Sequence, residues 1–137
     1  MEAPTFIRNH QALSDHFGYW PSFHDANVIS YTGPTADRQT VDLVLHTWEM
    51  TSEVDTKGYY VLQKHALITF RFAGVHAASL ERFDSANILF GLNITRASDA
   101  DSVHVELDSV MDMSGDFSAT AGEVVSVTLC TSEGKAI

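Results

Sequence analysis

A chain of 137 residues, 45 % hydrophobic and 19 % charged, has the size of one domain and enough apolar material for a core, which argues against a disordered segment and predicts a single domain over 1–137. Eighteen acidic residues against eight basic ones leave a net charge of −10, which argues against binding to a nucleic-acid backbone. The single cysteine, Cys130, excludes an internal disulfide and zinc sites built on paired cysteines. No apolar run reaches the ~18 residues of a membrane helix, and Met1-Glu2-Ala3-Pro4 opens neither a basic nor an apolar leader, so a cytoplasmic protein without a membrane partner is expected.

Phe6, His10, Leu13 and Phe17 recur at helical spacing, Asn9 can cap, and Gly18 suits the left-handed position after a helix end; one short N-terminal helix is predicted. Pro21 removes an amide donor and biases Trp20 toward an extended conformation, so the helix cannot run through Tyr19-Trp20-Pro21-Ser22-Phe23-His24-Asp25. From Ala26 the apolar period becomes two. Strands are predicted at 28–31, closed by Thr32-Gly33-Pro34, at 41–48 with Val41, Leu43 and Leu45 inward, and at 66–72 with Ile68, Phe70 and Phe72 inward. Three more fall at 88–94, 103–107 and 125–129. The polar stretch 49–58 has no dominant period and reads as a loop, whereas 75–84 fits either a helix or a strand. The expected fold is α+β and mainly β: an antiparallel β-sandwich or a strongly bent sheet of about six strands, with the helix at its N-terminal end.

Candidate chemistry is sparse. Seven histidines (His10, His16, His24, His46, His65, His76 and His104) invite a metal, but their spacing assembles no ligand set, and no metal or other cofactor is expected. Ser22, His24 and Asp25 contain the side-chain types of a hydrolytic triad, yet neighbours in an extended segment point His24 and Asp25 to opposite sides. His104, Glu106 and Asp108 alternate with Val103, Val105 and Leu107 and so share one face of a strand, as metal ligands or as the wet face of a half-buried strand. With no nucleophile elbow and no phosphate or dinucleotide loop, the chain is not expected to be an enzyme; a metal-dependent or hydrolytic enzyme using His24/Asp25 and His104/Glu106 is the alternative, and a small-ligand β module a third. Cys130 reads as a buried, inert thiol.

Acidity is the stronger signal. From residue 97 onward eight carboxylates face one cation, Lys135, so Asp99, Asp101, Glu106, Asp108, Asp112 and Asp116, with Glu53 and Asp55 of the 49–58 stretch, are the candidate surface for a basic protein partner. The sequence leaves homo-oligomerisation open.

The run Phe17-Gly18-Tyr19-Trp20-Pro21-Ser22-Phe23-His24-Asp25-Ala26, followed by a strand containing Val28, resembles the start of the immunity protein 50 family of bacterial polymorphic toxin systems. Phe70-Arg71-Phe72-Ala73-Gly74-Val75 and Asn87-Ile88-Leu89 fall where that family has an apolar strand, a Gly-Val step and an Asn-led strand, so the resemblance covers most of the chain. It implies a small cytoplasmic protein that binds and neutralises the toxin domain encoded beside it, with a basic nuclease as one target that an acidic surface would suit. No toxin-contacting residues carry over. Trp20, Pro21, Phe23, His24 and Asp25 of the shared motif read as structural, with the two rings plugging one end of the core.

Overall fold

Alternation sets the strands: Val41, Leu43 and Leu45 are fully buried in the computed structural model, which describes residues 4–76, 88–96, 102–109 and 115–137. The elements are α1 (His10–Phe17), β1 (Asn27–Thr32), β2 (Thr40–Val54), β3 (Tyr60–Ala73), β4 (Leu89–Arg96), β5 (Val103–Ser109), β6 (Gly115–Ala119) and β7 (Ala121–Leu129). They form two antiparallel sheets, ordered β1-β2-β3-β7 and β4-β5-β6. The fold is thus mainly β with one short helix. The described residues hold seven strands where about six are expected from the sequence. The extra one is β6, whose five residues carry a single large apolar side chain, Phe117, too few to show a period. Of the open segment 75–84, only Val75 and His76 belong to the described residues.

The two sheets share one core and meet along two edges. At one corner β6 passes into β7 through Thr120 alone, while the neighbouring chain turns beside it at Gly74. There the Ala73 carbonyl accepts from Thr120 N–H at 2.9 Å, and His76 and Ser118 exchange bonds of 2.8 and 3.0 Å. Gly74 has φ 65°, and a Cβ on it would run into the Thr120 side chain, so only glycine fits this corner. At the opposite edge Asn27 pairs with Ile88, which brings β1 beside β4. Phe70 and Phe72 stack at 6.0 Å between the sheets, and Phe72 meets the Phe117 edge at 5.3 Å.

The helix closes one flank against β7 and β3 with Leu13 and Phe17 buried. Gly18 takes the left-handed position (φ 84°) and its N–H donates to the Ser14 carbonyl at 2.7 Å. The helix is shorter than its apolar spacing predicts, and Asn9 does not cap it. Asn9 is itself left-handed (φ 61°), and its amide donates to the Val124 carbonyl at 2.9 Å, tying the segment before α1 to β7.

The stretch 49–58 is mostly strand, not loop. β2 runs on to Val54 and β3 starts at Tyr60, leaving a turn of residues 55–59 at the end of a two-stranded arm. The turn is built by Asp55, whose Oδ1 accepts the N–H groups of Lys57 at 2.8 Å and Tyr59 at 3.0 Å, with Gly58 left-handed beside it. β1 pairs with β2 only as far as Asn27↔His46, and β7 with β3 only as far as Ala66↔Leu129, so the arm projects past both neighbours. Lys64, at φ 57°, supplies the extra residue of a bulge where the arm leaves the sheet.

Candidate functional site

β5 presents His104, Glu106 and Asp108 to solvent while Val103, Val105 and Leu107 point into the core. Register then adds β6: Glu106 lies opposite Asp116 and His104 opposite Ser118. The imidazole settles between carboxylates, with Nε2 3.1 Å from Asp116 Oδ2 and 3.7 Å from Glu106 Oε1, and Nδ1 3.3 Å from Ser118 Oγ. Arg96 is the one Lys or Arg among the described residues of this sheet; it sits opposite buried Val103 with its guanidinium 5.2 Å from the Phe6 ring centroid. The outer face is therefore acidic, built on a sheet whose other side is core.

Glu53 and Asp55 lie on the arm of the other sheet and share no ion pair or hydrogen bond with this face. Asp99, Asp101 and Asp112 lie outside the described residues. Among the described residues, no three His, Cys, Asp or Glu side chains are arranged to hold a metal ion, and no helix is long and apolar enough to cross a membrane.

The second feature is made by the segment 19–25. Trp20 and Phe23 are buried, with ring centroids 6.2 and 5.6 Å from Phe70. The chain is not extended here. Phe23 and Asp25 both adopt left-handed backbone (φ 62° and 68°), which for a bulky aromatic costs of order 1–3 kcal/mol. Neighbouring bonds hold them there: Ala26 N–H donates to Phe23 O at 3.1 Å, Asp25 N–H to Leu89 O at 2.8 Å, and Leu89 N–H to Ala26 O at 2.9 Å. This turn fastens β1 to β4. Because the backbone turns, His24 and Asp25 do not diverge as alternation predicts, and Nε2 stands 3.7 Å from Asp25 Oδ1. Ser22 Oγ accepts the backbone N–H of His24 at 3.3 Å.

A cavity of about 250 Å³ opens between this segment and the base of the arm, lined by Tyr19, Phe23, His24, Asp25, Trp48 and Met50 among others. Pro21, Phe23 and Thr47 are its buried members, whereas Tyr19 and Met50 are exposed. Burial and then the nearby Glu49 carboxylate push the Tyr19 hydroxyl above its usual value. Glu49 is held low by a 2.6 Å bond from Gln63 and by Lys64 at 3.5 Å.

Sequence reasoning misses a third cluster, since His46 and His65 look unrelated until β2 and β3 pair. His46 Nε2 and His65 Nδ1 are 3.0 Å apart, beside Trp48. Burial lowers both imidazoles, and for His46 the neighbouring His65 adds to it. The only signal was the hairpin register. Cys130 is buried, which pushes its thiol up. Comparisons with protein-family models, with curated proteins and with solved structures gave no match.

Proposed function

We propose that this chain is a cytoplasmic immunity protein that binds and neutralises a cognate bacterial toxin domain, a basic nuclease being the target its charge suits best. The observation that carries the reading is the outer face of β5 and β6, where Glu106, Asp108 and Asp116 stand together on the solvent side of one sheet in a chain of net charge −10. Such a face attracts a cationic groove from a distance and speeds encounter, and its carboxylates present charge where the groove expects phosphates. The motif from Phe17 to Ala26 supports the same reading through the family it resembles.

The test is rescue. The C-terminal domain of the large protein encoded next to this gene is induced in a bacterial host with and without this chain. Restored growth together with a complex that survives gel filtration is the expected result. Continued toxicity with soluble, folded chain present would remove that neighbour as the target.

A further inference from the structure

The cavity beside Tyr19 and Asp25 plays no part in the acidic face, and its chemistry differs. At about 250 Å³ it falls just short of the ~300–1,000 Å³ of pockets that enclose small organic ligands, and it suits a single long side chain. Aromatic rings, a thioether, the His24 imidazole and one carboxylate line it, with no lysine or arginine, and His24 Nε2 stands 3.7 Å from Asp25 Oδ1. Asp25 keeps its side chain 49 % exposed at this position, so the carboxylate remains reachable from solvent. Tyr19 lines the cavity from an exposed position, with its ring centroid 6.1 Å from that of Phe17. An aromatic surface beside a carboxylate fits a flat, delocalised cation, which stacks on rings and forms paired hydrogen bonds to carboxylate oxygens.

The cavity also continues into the arm. Met50 lies opposite Leu62, and Val54 opposite Tyr60, in the register of β2 and β3. Tyr60 and Leu62 are two residues apart, so all four side chains share one face of the ribbon. That face is between 38 and 58 % exposed at every position. A free small cation would leave it bare, whereas a polypeptide entering the cavity would lay its neighbouring residues along it.

We propose that this cavity receives the guanidinium of an arginine presented by a partner polypeptide, paired with Asp25 and stacked against Tyr19 and Trp48, with apolar neighbours of that arginine resting on Met50 and Leu62. The inference goes beyond the acidic face and does not require the partner to be a toxin domain.

The experiment is an NMR titration of the whole chain with N-acetyl-arginine amide, with the lysine and citrulline analogues, and with an acetylated peptide carrying leucines on both sides of the arginine. Saturable shifts at Tyr19, His24, Asp25 and Trp48 are expected for the arginine probe, in about the millimolar range for a lone anchor. Citrulline, which keeps the shape without the charge, should bind at least about tenfold more weakly, and the leucine-flanked peptide more tightly with added shifts at Tyr60 and Leu62. Asp25→Asn keeps a residue that tolerates left-handed backbone, so the fold should hold while the arginine response falls by about tenfold. Tyr19→Leu, at an exposed position, should also weaken it. Equal binding of citrulline or lysine, or an unchanged response in folded Asp25→Asn, would overturn the guanidinium site. Equal affinity of the flanked peptide and the lone arginine would overturn the polypeptide as its source. The rescue assay is read separately, so either conclusion can fail without the other.

Discussion

His46 Nε2 and His65 Nδ1 lie 3.0 Å apart across β2 and β3, and one ring must donate while the other accepts. Full protonation leaves both as donors and breaks the bond. Burial lowers both groups in the folded chain, so the unfolded chain takes up protons first, near the ordinary value of ~6.5. The pair's contribution is therefore complete above about pH 6.5 and lost as pH falls from there through the lowered folded values. Thermal unfolding between about pH 5 and 8 should show a falling Tm on the acid side of that window. His65→Ala should flatten the dependence and, by leaving the buried His46 nitrogen without its partner, cost about 1–3 kcal/mol by urea unfolding. A flat Tm in the parent protein across the window would refute the coupling.

Asp42 titrates in a different range. Arg71 Nε donates to Oδ1 at 2.8 Å and Arg38 Nη2 to Oδ2 at 3.0 Å; the Arg71 bond is the main reason that the carboxyl is held below its usual value. Its stabilisation is present above the unfolded value of ~3.9 and disappears as pH falls through the lowered folded one. An NMR titration should place the Asp42 midpoint below that of an ordinary aspartate. Both arginines are well exposed, so Asp42→Asn should cost no more than about 1 kcal/mol.

Gly122 makes a steric prediction. A Cβ there would come within 2.8 Å of Ile7 Cδ1 and Phe72 Cδ1, both buried side chains. Gly122→Ala should destabilise by about 1–3 kcal/mol through overpacking, seen as a lower urea midpoint with an unchanged slope.

Most of the fold was legible where burial is one-sided. β5 is the clearest case, because Val103, Val105 and Leu107 face the core and His104, Glu106 and Asp108 face water, so burial and polarity repeat with the same period. The arm was not legible for the converse reason. Both its faces are wet, so residues 49–58 carry no burial contrast, and only the pairing of Glu49 with Gln63, Met50 with Leu62 and Val54 with Tyr60 defines it as strand. Of the candidate site, the β5 carboxylates could be read, while their pairing with Asp116 depended on β6. The cavity could not be foreseen, since nothing local announces that Phe23 and Asp25 turn left-handed; the bonds to Leu89 impose it from 64 residues away in the case of Asp25.

The acidic face yields a kinetic prediction. Combined Glu106→Lys, Asp108→Lys and Asp116→Lys should slow association with the toxin domain by roughly ten- to a thousandfold at low salt. The gap should narrow as ionic strength approaches ~0.15 M, where the Debye length is about 8 Å. Stopped-flow rates over a salt series check this. Identical rates for parent and variant at every salt concentration would remove this face from the interface.

Thr120 and Gly74 stand where two adjacent chains cross together from one sheet to the other, and Asn27 with Ile88 joins the far edges. Neither sheet can then be stripped from the core without tearing strands out of the other. Amide protons deep in β2 and in β5, although they belong to different sheets, should accordingly exchange with deuterated solvent through one shared global opening, at the same free energy.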